Sequence, residues 1–212
     1  MDAVKLNEQV TLNRLIMKNE REILTIVMLG LILFTGCKKE SKIHLFNNSI
    51  KYDDKTYEIT HGILENKGRG GVGEAYKICL TLFSSGITPI ESEGEVTGAS
   101  GNGHVIYFEM FTNSSSQLDN GTYEYDATWS EDASTFDYGW FLVNYNADTE
   151  DSEIDQDIEG GTVTVSKTGD TYEITISCTD EDDKSVTGYY KGTLKFYDYD
   201  YKKSTRSDKR RF

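Results

Sequence analysis

The chain has 212 residues, a formal net charge of −14 and 12% aromatic residues. Segment 1–36 holds four basic residues (Lys5, Arg14, Lys18, Arg21) and four acidic ones (Asp2, Glu8, Glu20, Glu22), so the remainder carries the whole of that charge. Such a field repels a phosphate backbone and excludes nucleic acid as the expected partner; what remains after residue 36 is the length of one domain with a proper core.

Ile23 to Phe34 reads ILTIVMLGLILF, an uncharged run. It is too short to span a bilayer as a helix and has the length of a signal peptide's apolar region. Lys18 and Arg21 precede it, and Thr35, Gly36 and Cys37 follow. Phe34-Thr35-Gly36-Cys37 resembles the bacterial lipobox, with Phe34 standing where Leu is usual. The resemblance implies that 1–36 is a signal peptide, removed in the mature chain, and that the Cys37 thiol is acylated. Residues 1–16 fit no signal peptide, whereas Met17-Lys18 opens a typical one, so Met17 is the expected true start.

Residues 37–48 then form the lipidated Cys and a short polar tether that begins KKESK. One acyl chain anchors marginally and several anchor stably; bacterial lipoproteins as a class carry several. The residue after Cys37 is not the Asp that holds lipoproteins of enteric bacteria in the inner membrane. By that resemblance the expected location is the cell envelope, lipid-anchored, with the outer membrane favoured and the leaflet open.

From residue 49 the dominant signal is period-two alternation broken by turn residues, which means strands. The runs are 49–52, 55–64, 74–83, 104–112, 122–128, 138–145, 161–168, 171–178 and 185–197. Tyr, which favours strands, occurs 14 times, and a single Pro against 19 Gly leaves the turns to Gly, Asn and Asp. The expected fold is all-β: one domain over 49–201, an antiparallel meander of about nine strands, either a closed lipocalin-like barrel or a two-sheet sandwich. In GTVTVSKTGDTYEITISC, Gly169 supplies the positive φ of a tight hairpin. Residues 202–212 are a basic tail with Lys202, Lys203, Arg206, Lys209, Arg210 and Arg211, read as a solvated terminus.

Leu118-Asp119-Asn120-Gly121-Thr122-Tyr123, the stretch from Gly161 to Asp182 and Gly188-Tyr189-Tyr190-Lys191-Gly192-Thr193-Leu194 together resemble uncharacterised lipoproteins of the Bacteroidetes. The likeness covers 118–194. It implies a β-rich domain behind a lipobox signal and carries no catalytic residues with it.

Cys79 and Cys178 remain if Cys37 is acylated. Alternation sets Cys79 on the face opposite Ile78, Leu80 and Leu82, and Cys178 on the face of Tyr172, Ile174 and Ile176. If both apolar faces line one core, the two sulfurs lie on opposite sides of the sheet, which argues against a disulfide.

Chemistry is sparse. The acid run Asp148, Glu150, Asp151, Glu153, Asp155, Asp157, Glu159 suggests calcium, but no window has Gly and Glu at the required loop positions, so a solvated acidic loop is expected. His44, His61 and His104 have no GxSxG or HExxH to anchor a catalytic set. Gly68-Arg69-Gly70-Gly71-Val72-Gly73 lacks the Gly-Lys-Ser/Thr ending of a phosphate loop and reads as a hairpin connection. No metal site and no cofactor is expected.

The aromatics around 123–145 are the exception. Flat rings beside Asp and Asn resemble sugar-stacking surfaces, although rings of this kind more often fill cores. Trp129, Trp140, Tyr138 and Tyr125 are the candidate ligand residues, with at least one Trp expected to be exposed. The leading expectation is a membrane-anchored envelope lipoprotein with a non-enzymatic binding domain for a glycan, a small ligand or a protein. A hydrolase with an unrecognised site and a structural or adhesive surface component are the alternatives.

Overall fold

The computed structural model describes residues 48–199; the expected signal peptide, Cys37, the expected tether up to residue 47 and the basic tail lie outside the described residues. Those described contain twelve strands and no helix. In chain order they are β1 (Ser49–Tyr52), β2 (Lys55–Glu58), β3 (His61–Arg69), β4 (Tyr76–Phe83), β5 (Ile87–Ser92), β6 (Glu95–Thr112), β7 (Gly121–Tyr125), β8 (Thr135–Asn146), β9 (Ile154–Thr168), β10 (Thr171–Asp180), β11 (Ser185–Thr193) and β12 (Lys195–Asp198). They form one sheet in the order β12-β3-β4-β6-β8-β7-β9-β10-β11-β1-β2, with β5 paired to β6 off this path.

The domain is all-β, and its architecture corrects the expected closed barrel, sandwich and antiparallel meander. β12 and β2 end the path, so the sheet curls into an open half-barrel. It is mixed, because β12 runs parallel to β3 and β7 parallel to β8. The cause lies in two runs that read as continuous but break. The run 185–197 breaks at Leu194: β11 ends beside β10 and β1, and the chain steps across to lay β12 along β3. The run 55–64 breaks at Ile59 and Thr60, whose N–H groups donate to the carbonyls of Asn48 (3.0 Å) and Phe83 (2.8 Å) and turn the chain from β2 into β3. The two ends of the sheet are thus joined by chain crossings instead of by a ladder. Gly62 makes one crossing possible, since a Cβ there would sit 2.8 Å from Leu194 Cδ2 and 2.7 Å from the Thr81 carbonyl oxygen.

The inner face is filled. Ile78, Leu80 and Leu82 of β4, Ile106, Phe108 and Met110 of β6, and Val163, Val165, Ile174 and Ile176 of the β9–β10 hairpin join one buried cluster with Tyr123, Phe136, Phe141 and Tyr190. Within that hairpin Gly169 has φ 59°, the left-handed value its turn requires. Cys178 lies in this cluster while Cys79 faces the other side, and both thiols are free.

A smaller cluster occupies part of the outer face. β6 is 18 residues long and bends at Gly101 (φ 93°). Its first half pairs with β5, and this hairpin lies over Ile63, Phe83, Val105 and Tyr197. Lys195 to Glu91 at 2.5 Å and Val96 N–H to the Tyr199 hydroxyl at 2.7 Å fasten it. Neither β5 nor the first half of β6 is among the runs expected from sequence. Pro89 lies there, and Pro is tolerated where a strand has one free edge, as β5 does. The acidic run is also corrected in part. Residues 147–150 form a turn, but Asp155, Asp157 and Glu159 are exposed residues of strand β9, alternating with the more buried Ile154, Gln156 and Ile158.

Candidate functional site: an aromatic and carboxylate face

Next to this outer cluster, against which Trp140 packs, the outer face of the central strands carries rings and carboxylates. β6 turns Ile106, Phe108 and Met110 inward, so Tyr107 and Glu109 face out. Register then sets Trp140 opposite Tyr107 and Tyr138 opposite Glu109 on β8, Cys79 opposite Glu109 on β4, and Asp157 opposite Trp140 on β9. The Tyr107 and Trp140 rings stack at 5.2 Å with planes 16° apart, and Tyr138 meets Tyr107 edge-on at 6.3 Å. The Tyr107 hydroxyl donates to Glu109 Oε1 at 2.9 Å and lies 3.0 Å from Cys79 Sγ, while Lys77 Nζ reaches Glu109 Oε2 at 2.5 Å. Burial, together with Cys79 and Glu109, holds the Tyr107 hydroxyl firmly protonated, and burial pushes the Cys79 thiol up to about 12.

A β-bulge determines which rings face out. The β6–β8 register slips between Glu109 and Met110, leaving Asp137 as the extra residue. Phe136 consequently points inward and Tyr138 outward although they are two apart. Asp137 is only 2% exposed, and its Oδ1 has no hydrogen-bond partner. Burial pushes its carboxyl above the usual range; Lys77 opposes that shift, and Glu109 and Glu131 add to it. A second irregularity, at Asn144 (φ 53°), turns Tyr145 to the outer cluster, not to the Phe141 face where simple alternation put it.

β8 and β9 pair directly from Trp140 to Val143 and then part, and β7 enters the fork between them. Tyr138, 38% exposed, stands at this fork. Its pKa is raised by burial first and then by the charges of Asp157, Glu109 and Asp155. Tyr125 closes the fork from β7, with its ring 5.5 Å from Phe136; burial and then Glu159, Asp137, Asp126 and Asp157 raise its pKa. Asp157 acts on both tyrosines.

Of the four expected ligand residues, Trp140 and Tyr138 share this outer face; Tyr125 packs against the main core beside Phe136, and Trp129 does not join them. The run 122–128 ends at Tyr125, because the Asp126 carboxylate accepts the N–H groups of Thr128 and Ser130, both at 2.8 Å, and folds the chain into a turn. Trp129 sits in that turn at φ 57° and is 55% exposed, away from the strand face it was expected to share with Tyr123. Glu131 then accepts the Val72 N–H at 2.7 Å. The glycine-rich hairpin connection thus does hold an anion, and that anion is a side chain of the same protein. Tyr107, Glu109 and Asp137 were missed from sequence. Alternation in VIYFEMF gave a signal for the first two; nothing marked the bulge.

Two other readings fare less well. Ser85 Oγ donates to Glu58, Ser84 Oγ accepts the His104 N–H at 2.8 Å, and the His104 Nδ1 accepts from the Asn144 N–H at 3.2 Å, so neither serine is handed to the imidazole. Among the described residues no group of three His, Cys, Asp or Glu side chains is arranged to hold a metal ion. Compared with protein-family models, curated proteins and solved structures, the chain matches none.

Proposed function

We propose that the chain is a lipid-anchored protein of the cell envelope whose β domain is a non-enzymatic binding module, with the outer face around Tyr138 and Trp140 as its contact surface. The observation that carries this reading is the division of labour between the two faces. Packing fills the inner face with apolar side chains and leaves no call there for a polar ligand, whereas stacked rings beside carboxylates on the outer face have no role in the main core. A flat ring with a polar rim suits a sugar, a small planar molecule or a side chain of a protein partner. The carboxylates lie along an open strand face, not across a cleft, which favours binding over glycoside hydrolysis. The terminal strands β2 and β12 are four residues each, and the free edge of β5 is six residues long and carries Pro89, which gives little edge for assembly by strand addition.

Two experiments test the proposal. Tyr138→Ala should leave thermal melting nearly unchanged and weaken ligand binding by about 1 kcal/mol, roughly fivefold; a panel of glycans, small aromatics and cationic compounds that detects no ligand for the parent chain counts against the binding role. Cys37→Ala should lose membrane association and accumulate with its signal uncleaved. Unchanged partition into membranes would refute the anchor.

A further inference from the structure

We propose that the end of the sheet carrying the loops 70–75 and 126–134 faces the lipid bilayer, with Trp129 and Val72 seated in its interface. This deepens the lipid-anchored reading above and rests on it.

Trp129 and Val72 are the two most exposed large apolar side chains among the described residues, at 55% and 78%. They belong to one unit. Glu131 accepts the Val72 N–H at 2.7 Å, and the backbone at Gly73 lies so close to the Glu131 carbonyl that a Cβ there would overlap it. The Trp129 ring is also held out by construction. Asp126 accepts from the N–H groups of Thr128 and Ser130 and from the Thr128 hydroxyl, and the turn fixed in this way keeps Trp129 at φ 57°. A left-handed backbone is costly for a bulky side chain and persists only where its surroundings impose it. The turn thus holds an indole in the open at a conformational cost.

Topology brings the expected anchor to the same end. β3 ends and β4 begins at the 70–75 loop, and β8 begins after 126–134. Antiparallel pairing carries that end from β4 through β6, β8, β9, β10 and β11 to the start of β1. Asn48 enters there and exchanges hydrogen bonds with the Lys191 backbone. β12 runs parallel to β3, so the chain leaves at that end as well, where the Tyr199 N–H donates to the Asn66 carbonyl at 3.0 Å. Residues 38–47 join Cys37 to Asn48 and reach at most about 40 Å when fully extended. Full extension costs chain entropy, so the end where the tether enters lies nearest the bilayer. Beyond Tyr199 follow Lys202, Lys203, Arg206, Lys209, Arg210 and Arg211, opposite in sign to anionic headgroups.

The chemistry of the loop tips suits that occupant. An indole sets its apolar body among the upper acyl chains and its N–H among the headgroups. Three carboxylates beside the tips are already engaged: Asp126 by its turn, Glu131 by Val72 and Glu74 by Arg69 at 3.1 Å. A protein partner could also cover an exposed Trp, but a bilayer alone accounts for apolar tips, tether entry and basic tail at one end.

The test uses the lipidated full chain, purified from membranes and reconstituted into vesicles of phosphatidylcholine with a minor share of phosphatidylglycerol. The phosphatidylcholine is used with and without bromine on its upper acyl carbons, since bromine quenches tryptophan only at contact. The parent chain should float with the vesicles, and brominated lipid should lower its tryptophan emission roughly 1.5-fold or more, one of its two Trp residues being in contact. Trp129→Phe should abolish the quenching, because Trp140 stacks on Tyr107 away from the loop tips. Val72→Asp should at least halve it with the melting temperature unchanged. No quenching in a floating parent chain overturns the membrane-facing end and leaves the anchor standing. Quenching that persists in Trp129→Phe overturns it too, because Trp140 would then face the lipid. Quenching untouched by Val72→Asp overturns the joint seating of the two loops. A parent chain that does not float removes the anchor itself and the inference with it.

Discussion

Gly62→Ala is expected to destabilise the domain by about 1–3 kcal/mol, the usual range for forcing a methyl group into a packed site. A Cβ at Gly62 would lie 2.5 Å from Leu82 Cδ2, 2.8 Å from Leu194 Cδ2 and 2.7 Å from the carbonyl oxygen of Thr81. The two leucine methyls can rotate away. The carbonyl belongs to β4, paired to β3 at this point, and can move only if the ladder moves. At roughly 2–4 °C per kcal/mol for a domain of this size, the melting temperature should fall by roughly 2–12 °C. Urea unfolding with an unchanged slope would assign the change to the native state. Adding Leu194→Ala to Gly62→Ala should recover little, because the backbone contact remains and Leu194 packs on the main core. Gly98→Ala is the control: nothing lies within 4 Å of its Cβ position, so it should be neutral or slightly stabilising. If Gly62→Ala shifts the midpoint no more than Gly98→Ala, the close crossing of chain at the sheet's two ends is wrong.

Three further outcomes are expected. Gly169→Val should cost about 1 kcal/mol or more from backbone strain alone, since φ is 59° and no atom lies within 4 Å of the new Cβ; an unmoved denaturation midpoint would show that the turn lies elsewhere. Cys79 and Cys178 should resist thiol reagents at pH 8 in the native state and react on unfolding, because burial pushes both thiols to about 12; rapid native labelling of either would contradict its burial. Asp180 is buried, which raises its pKa, but the Tyr52 hydroxyl at 2.7 Å and the N–H groups of Asp182 and Lys184 bring it below the ordinary value. A depressed carboxyl stabilises above its unfolded pKa of about 4 and loses that contribution as pH falls through its folded value, so Asp180→Asn should flatten the acid limb of a stability–pH curve.

Strand alternation carried most of the inner face. In the β9–β10 hairpin every expected inward residue, from Val163 to Cys178, joins the core, because a tight turn and two amphipathic strands leave no other register. Long-range partners were not legible. Leu194 looks like any strand residue until β12 finds β3 on the far side of the sheet. Ile154 to Glu159 alternates as clearly as any run, but its outward positions are all acidic and composition hid the period. At the candidate site Tyr138 and Trp140 were readable as sharing a face, whereas their contact with Tyr107 depends on the β6–β8 register. The setting of Asp137 could not be read at all, since a bulge exists only relative to a partner strand.

That single extra residue has a consequence for how the surface can change. Substitutions at Tyr138, Asp155 or Asp157 leave the packed side untouched, so the chemistry of the face can diversify one side chain at a time while the fold persists. Loss of one codon at Asp137 acts differently. It would make Phe136 and Tyr138 neighbours in strict alternation, so Phe136 would stay inward and Tyr138 outward while the extra carboxylate and the slip in register are lost. In-frame deletion there is thus a change that no series of substitutions reproduces, one that removes a buried carboxylate and straightens a strand while the wetted and the dry side keep their residues.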